Sequence, residues 1–151
     1  MIEGVEIKAL KWRCDERGNL LEVLRRDDGI FSAFGQAYVT SAYPDIVKAW
    51  HYHKKQDDYM AVISGMMKIV LYDSRSGSKT KGETNEFYAG EKNPILIKIP
   101  AHVYHGFMCV SEHESIVLNI VTEPYNRDQP DEYRLAWDTS EIPYDWKRKN
   151  G

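Results

Sequence analysis

Short apolar runs that alternate with a period of two, separated by turn residues, constrain the fold of this chain most strongly. The segment PILIKIP places Ile95, Ile97 and Ile99 between two prolines, and ESIVLNIVTE is a longer apolar run. Residues i and i+2 of a strand face the same side, so this period is typical of strands with a buried face. Helical periodicity is weak except in DQPDEYRLAW, where Pro130 is placed to begin a helical turn.

Many short strands with Gly, Pro and Asn turns favour a β-sandwich or barrel. The run YMAVISGMMKIVLYD predicts two strands, Tyr59–Ile63 and Met66–Tyr72, joined as a hairpin at Ser64-Gly65. The sequence contains no internal repeat, low-complexity tract or linker, and its 151 residues suffice for one hydrophobic core. We therefore predict a single all-β domain over residues 1–151.

Charge and hydropathy exclude several partners. The formal net charge of −3 gives no general attraction for nucleic acid or an anionic membrane. The N-terminus lacks a secretion signal, and no apolar run approaches the roughly 20 residues that cross a bilayer. Cys14 and Cys109 form no CxxC pair, so we expect two free thiols in a reducing compartment. These features predict a cytoplasmic protein with neither nucleic-acid nor membrane partners.

Four of the five histidines fall in two clusters beside predicted strands. His51 and His53 share one side of a strand, and the segment IPAHVYHGF contributes His102 and His105. A single histidine at a strand end is usually a hydrogen-bonded rim residue, but two clusters on facing strands favour an interior polar site. With Asp58, three of these histidines also form a possible ligand set for Zn, Fe, Mn or Ni, namely His51, His53, Asp58 and His105.

The histidine clusters resemble the two cupin motifs. His51-x-His53, followed by Asp58 and Gly65, resembles the first motif, with Asp in place of the usual Glu. The segment IPAHVYH resembles the second motif, P-x-G-x-x-H, with His102 in place of glycine. This resemblance implies a cupin double-sheet jelly-roll barrel, with short peripheral helical turns.

A narrower resemblance covers almost the whole chain. It is to the dTDP-4-dehydrorhamnose 3,5-epimerase family, whose D-x-R-G-x-x-x-E entry segment resembles DERGNLLEVLRRDD and whose F-x-Q segment and catalytic strand resemble FGQAYVTSAYPDIVKAWHYH. The family loop D-x-R-x-x-S-x-T-x-G is similar to VLYDSRSGSKTKG, and I-P-x-G-x-x-H-G-F is similar to IPAHVYHGFMCVSE. The closing T-x-x-Y strand is similar to TEPYNRDQPDEYRLAWD. Shared order and spacing carry this resemblance.

The resemblance implies proton abstraction next to the ketone of a nucleotide-linked 4-keto-6-deoxy sugar, in surface polysaccharide or deoxysugar biosynthesis. It makes His51 the base, because imidazole titrates near neutrality, and adds His53 and Tyr125 to the catalytic set. It implies a homodimer that requires no cofactor, in which Arg17 contacts the nucleotide phosphates, often across the interface. The residues it assigns to substrate binding are Arg17, Glu22, Gln36, Lys48, His105 and Asn119.

The chain departs from the family pattern at three places. Asp58 occupies the position of a lysine near the ketone, and Asn119 occupies that of an acid tyrosine. The family orients its base with an aspartate in a C-terminal segment that has no match before Gly151. Epimerisation at C3 and C5 and epimerisation at C3 alone therefore both stay open.

Three other functions also remain open. The run His51 to Lys54 resembles the H-x-H-K strand of the cupin 3,4-ketoisomerases, in which both histidines move protons on one face of the sugar. A metal-dependent cupin would use the ligand set that includes Asp58. A sugar-nucleotide binder without catalysis would bind the ligand tightly and exchange no protons with solvent.

Overall fold

The computed structural model describes residues 1–148, so the last three residues of the predicted domain, including Lys149 and Gly151, lie outside it. All regular secondary structure in the described range is β. The strands are β1 (Glu6–Ala9), β2 (Trp12–Asp15), β3 (Gly18–Leu21), β4 (Gln36–Ala42), β5 (Val47–Tyr52), β6 (Asp58–Ser64), β7 (Met66–Asp73), β8 (Thr84–Gly90), β9 (Ile95–Ile99), β10 (Val103–Cys109), β11 (Ser115–Val121) and β12 (Tyr133–Arg134).

Ten of these strands form two five-stranded antiparallel sheets. The first sheet has the order β1-β9-β6-β11-β4, and the second has the order β12-β5-β10-β7-β8. Strands β2 and β3 form a separate hairpin. Because neighbours in each sheet are mostly distant in sequence, the chain crosses repeatedly between sheets, as in a jelly roll.

A shared core holds the two sheets together. Val62, Ile97 and Val117 of the first sheet belong to the same buried cluster as Ile69 and Leu71 of the second sheet. All five are at most 3% exposed. Full burial of such a side chain stabilises the fold by roughly 1.5–3 kcal/mol. The alternating apolar residues of the sequence therefore form the interface between the sheets.

The predicted hairpin at Ser64-Gly65 is wrong. Strands β6 and β7 lie in different sheets, and Gly65 is the corner between them. Gly65 has a φ of 71°, and a Cβ atom there would lie 2.3 Å from Oγ of Ser115. The glycine thus permits a change of sheet, which a local turn signal does not distinguish from a hairpin.

The predicted helical turn at Pro130 is also absent, since the described chain forms a strand at Tyr133–Arg134 instead. Tyr133 pairs with Tyr52, and their rings stack with centroids 5.0 Å apart. Leu135 and Trp50 exchange two backbone hydrogen bonds of 3.0 Å. Pairing with β5 therefore overrides the weak local preference for a helical turn.

The segment after β12 covers the outer side of the second sheet. Ile142 and Trp146 are buried against Trp50, and the rings of Trp50 and Trp146 lie 5.0 Å apart. The buried Lys68 donates a hydrogen bond of 2.9 Å to the carbonyl of Trp146. These contacts hold β5 from behind, so that its other face is presented to the interior.

The D-x-R-x-x-S-x-T-x-G motif builds a hydrogen-bonded loop around Asp73, which is fully buried. One carboxylate oxygen accepts hydrogen bonds from the backbone and side chain of Arg75, and the other accepts bonds from Arg75, Ser78 and Thr80. Arg75 also donates to the carbonyl of Glu3, at 2.7 Å. The motif therefore anchors the N-terminus to the loop.

Two further predictions from the sequence can be compared with the structure. Cys14 is exposed and Cys109 is buried, and both are free thiols, while the reducing compartment stays a prediction. Within residues 1–148, no helix is long and apolar enough to span a membrane.

Candidate active site

A cavity of about 840 Å³ is lined by strands of both sheets. Strand β4 contributes Gln36, Tyr38 and Thr40, which share one face because they are two residues apart. Most of the site residues predicted from the sequence line the same cavity, namely Gln36, Lys48, His51, His53, Asp58, His105, Asn119 and Tyr125. His51 and His53 therefore meet His105 in one interior site, whereas His102 of the second cluster does not line this cavity.

Arg17 and Glu22 do not line this cavity. Arg17 lies between β2 and β3 with its side chain 84% exposed, and it forms an ion pair of 2.6 Å with Asp15. Glu22 follows β3 and lies 3.6 Å from Arg25. Within one chain these two residues are surface groups, and their predicted contact with substrate stays a prediction.

His51 is held on the cavity wall by close packing of two strands. It is the direct cross-strand partner of His105, and the two ring centroids lie 5.7 Å apart. A Cβ atom at Gly106 would lie 2.3 Å from Cβ of Ala49, so only glycine allows β10 and β5 to approach this closely. The glycine of the H-G-F motif thus sets the position of the base candidate.

The surroundings of His51 keep its imidazole neutral. Burial, followed by the nearby His105, Arg134 and His53, lowers the pKa of His51 to about 3. The His51 side chain forms no hydrogen bond or ion pair with any other residue that the structure describes. An imidazole that is neutral and makes no hydrogen bond to a described residue has a lone pair open to a ligand in the cavity, although its low pKa also makes it a weaker base.

The two other cavity histidines are anchored. Nδ1 of His53 donates a short hydrogen bond to the carbonyl of Asp131, and Nδ1 of His105 donates to the carbonyl of Val103 at 3.2 Å. A carbonyl only accepts hydrogen bonds, so each ring carries a proton on Nδ1. Both Nε2 atoms face Asp58.

Asp58 is the centre of this cluster. One oxygen of its carboxylate lies 3.7 Å from Nε2 of His53 and 3.5 Å from Nε2 of His105. Gln56 and Asn119 each donate a hydrogen bond of 2.9 Å to the carboxylate. Burial lowers the pKa of His105, and the negative charge of Asp58 opposes that effect.

The same cluster could hold a metal ion. One ligand atom from each of His53, Asp58 and His105 lies within 4.8 Å of the others. Two imidazole nitrogens and one carboxylate oxygen suit Zn, Fe, Mn or Ni. His51, the fourth predicted ligand, is not part of this group, because it lies on the wall beside His105 rather than around the carboxylate.

Several residues of the cavity lining were missed by the sequence reasoning, and Tyr38 and Arg134 are two of them. Tyr38 is the cross-strand partner of Asn119, whose Nδ2 donates a hydrogen bond of 2.7 Å to the tyrosine hydroxyl. The alternation Gln36-x-Tyr38 is a signal that could have found it. Arg134 pairs with His51 through β12 and lines the cavity as well. Because a helical turn was expected in that segment, Arg134 was not predicted to lie on a strand beside His51.

A sequence model of the dTDP-4-dehydrorhamnose 3,5-epimerase family matches residues 1–150. The chain belongs to this family. The resemblance inferred from the sequence motifs is thereby confirmed.

Two relatives of this family member resemble it along nearly their whole length. The "Spore coat polysaccharide biosynthesis protein SpsL" of Bacillus subtilis is 44% identical over 146 residues, covering 97% of each chain. The "Probable low-salt glycan biosynthesis epimerase Agl13" of Haloferax volcanii is 37% identical over 147 residues, covering 96% of this chain and 94% of the relative.

A solved structure agrees with the fold. The dTDP sugar isomerase from Desulfovibrio desulfuricans superposes with a TM-score of 0.91 at 32% identity, covering 96% of this chain and 92% of that chain. The predicted all-β jelly roll of the family is thereby confirmed.

Proposed function

We propose that the protein is an epimerase that acts on a dTDP-linked 4-keto-6-deoxy sugar. The observation that carries the proposal is the position of His51 on the wall of a large cavity, where its neutral imidazole makes no hydrogen bond to any residue among 1–148. Family membership, together with the similarity to a dTDP sugar isomerase, supports the substrate class.

The chemistry begins at the carbon next to the ketone. The 4-keto group makes the neighbouring C–H bond acidic, and His51 takes that proton as the electron pair moves onto the ketone oxygen. The resulting enolate oxygen needs a hydrogen-bond donor. The family has a lysine near the ketone, but Asp58 occupies that position here. A proton held between Nε2 of His53 and the Asp58 carboxylate would supply the donor. Return of a proton to the opposite face of the carbon completes the inversion, and no cofactor is required.

The diphosphate would bind at a cationic part of the cavity lining. Lys48, Lys55 and Arg134 all line the cavity, and guanidinium and ammonium groups bind phosphate oxygens well. Exchange of Arg134 for glutamine should raise KM for the nucleotide sugar with a smaller effect on kcat, which steady-state kinetics would measure.

We also propose a homodimer in which Arg17 reaches the partner's phosphate site. Strand β4 is an outer strand of its sheet. Val39 on this strand is 60% exposed, and Phe34, which precedes the strand, is 64% exposed. A free edge with apolar side chains is suited to a second copy. Light scattering after size exclusion should give twice the 17.5 kDa chain mass, and Arg17→Ala should raise KM.

A 3,4-ketoisomerase is the second candidate. His51 and His53 both line the cavity, as that reaction requires of two proton-transfer groups on one face. Incubation with dTDP-4-keto-6-deoxyglucose, followed by NMR of the product, separates the two functions. An inverted C3 or C3 and C5 supports the epimerase, whereas a ketone moved to C3 supports the ketoisomerase and contradicts our proposal.

The product would serve polysaccharide biosynthesis in the cytoplasm. Both relatives are named for polysaccharide or glycan biosynthesis, and the exposed free thiol of Cys14 suits a reducing compartment. Deletion of the gene should remove one 6-deoxy sugar from the cell-surface glycan, as measured by sugar composition analysis. An unchanged composition would contradict this role.

A further inference from the structure

We propose that Tyr38 is the acid that protonates the substrate on the face opposite His51, and that Asn119 positions its hydroxyl. The inference rests on the proposed epimerase function and assigns the group that completes the inversion. In this chain Asn119 stands where the family resemblance places an acid tyrosine, so the inversion needs another donor.

The placement of Tyr38 fits this task. His51 lies on β5 of the second sheet, and Tyr38 lies on β4 of the first sheet, with the cavity lined by both. A base that takes and returns a proton on one face regenerates the starting configuration. Inversion requires a donor on the other wall of the cavity, and the Tyr38 phenol is a donor there.

Asn119 determines which way the Tyr38 hydroxyl donates. Nδ2 of Asn119 lies 2.9 Å from the Asp58 carboxylate. Because a carboxylate only accepts hydrogen bonds, the NH2 end of the Asn119 side chain must face it. The same Nδ2 lies 2.7 Å from the Tyr38 oxygen and donates to it. The phenol oxygen thus accepts from Asn119, and its own proton is left to donate into the cavity. Asn119 is 2% exposed, which fixes this geometry.

The protonation state of Tyr38 agrees with the role of an acid. Burial and the negative charge of Asp58 raise the pKa of Tyr38 to about 12, against a weaker opposing effect of the Asn119 hydrogen bond. The phenol is therefore protonated at neutral pH. It gives its proton to the carbanion carbon as the enolate electron pair forms the new C–H bond, and solvent reprotonates the phenolate.

Other tyrosines are less suited. The Tyr59 hydroxyl is bonded to Ser32 and to the carbonyl of Ile30, and Tyr104 packs against Tyr52. Tyr125 lines the cavity and is 54% exposed, against 39% for Tyr38, and its described hydrogen bond is made by its backbone to Gln36. Tyr38 is the cavity tyrosine whose hydroxyl is positioned by a buried side chain.

The test compares inversion with isotope exchange. Wild type and Tyr38→Phe are incubated with dTDP-4-keto-6-deoxyglucose in deuterated water, and NMR follows both deuterium at C3 and configuration at C3. We expect Tyr38→Phe to retain exchange within about threefold, through His51, while inversion falls about 100-fold or more. Inversion at the wild-type rate, or equal loss of exchange and inversion, would overturn the assignment.

Matched variants separate positioning from general damage. Asn119→Ala should lower the ratio of inversion to exchange, whereas a merely structural role would lower both together and overturn the positioning role. Tyr43→Phe removes a hydroxyl from a tyrosine just after β4 that is 69% exposed and outside the cavity, and it should match wild type. Loss of inversion in Tyr125→Phe, with Tyr38→Phe unaffected, would assign the acid to Tyr125 instead. A wild type that neither exchanges nor inverts would defeat the proposed epimerase function itself, which is a distinct result.

Discussion

His51 and His105 are direct cross-strand partners, and their ring centroids lie 5.7 Å apart on one wall of the cavity. Positive charge on either ring disfavours charge on the other, and burial disfavours charge on both. The structure therefore keeps a pair of neutral imidazoles at the position of the base.

The first prediction concerns the pH dependence of activity. Burial, then the nearby His105, Arg134 and His53, lower the pKa of His51 to about 3, so the base stays unprotonated as pH falls through 6. We expect kcat/KM to change less than about threefold between pH 7.5 and 5.5, where an ordinary imidazole would lose about tenfold of its free base. Arg134→Gln removes a positive neighbour and should move the acid limb to higher pH. A limb centred near 6.5 in wild type would contradict the assigned environment.

The second prediction concerns metal removal. If the cluster around Asp58 shares a proton rather than a metal ion, dialysis against EDTA should leave kcat within about twofold of its initial value. Elemental analysis of the purified protein checks occupancy, and Asp58→Asn, which removes one ligand, serves as the control for metal uptake at the cluster. Loss of activity that one divalent ion restores in wild type but not in Asp58→Asn would favour the metal-dependent cupin.

The third prediction concerns the loop around Asp73. Asp73→Asn should lower the free energy of unfolding by roughly 2–4 kcal/mol, because it weakens several hydrogen bonds to a buried carboxylate. Ser78→Ala removes one of these donors and should cost about 1 kcal/mol. Chemical denaturation measures both values. Equal and negligible effects would show that the motif does not stabilise the fold.

The same loop gives a pH dependence with a definite sign. Burial raises the pKa of Asp73, but hydrogen bonds from Arg75, Ser78 and Thr80 outweigh burial and lower the pKa below its usual 3.8. A depressed folded pKa contributes stability that is present above 3.8 and is lost as pH falls further. The stability difference between wild type and Asp73→Asn should therefore hold above pH 5 and shrink below pH 4.

The fourth prediction concerns His102, which replaces the cupin glycine and has a φ of 67°. The left-handed region costs a residue with a Cβ atom about 1 kcal/mol relative to glycine. His102→Gly should therefore be more stable than His102→Ala by about 1 kcal/mol, since both lose the imidazole and only glycine relieves the strain. Thermal denaturation compares the two variants. Greater stability of the alanine variant would show that the left-handed backbone conformation at this position does not strain the fold.

Local pattern predicts the strands of this protein well, because burial of one face imposes a period of two. The apolar alternation of Ile95, Ile97 and Ile99 corresponds to β9. Local pattern does not predict which strands pair. The local pattern predicts a hairpin turn at Gly65, but this residue is a corner between the two sheets. It predicts a helical turn near Tyr133, but this residue pairs with β5.

The residues of the candidate site also fall into those that local pattern predicts and those that depend on strand pairing. His51, His53 and His105 were found from sequence because their spacing places them beside strands. Arg134 was not found, because its position in the cavity depends on its cross-strand partner His51. Tyr38 shares a strand face with Gln36, but its pairing with Asn119 is not visible in the local pattern. Such pairings are decided by the topology of the whole domain.

The central claim is that His51 removes a proton next to the ketone of a dTDP-linked 4-keto-6-deoxy sugar. The most direct measurement is deuterium incorporation at C3 of dTDP-4-keto-6-deoxyglucose in deuterated water, by NMR, for wild type and His51→Asn. We expect rapid incorporation with wild type and a loss of about 100-fold or more with His51→Asn, at unchanged ligand affinity. Tight binding without incorporation by wild type, as for a non-catalytic sugar-nucleotide binder, or equal incorporation by both proteins, would contradict the claim.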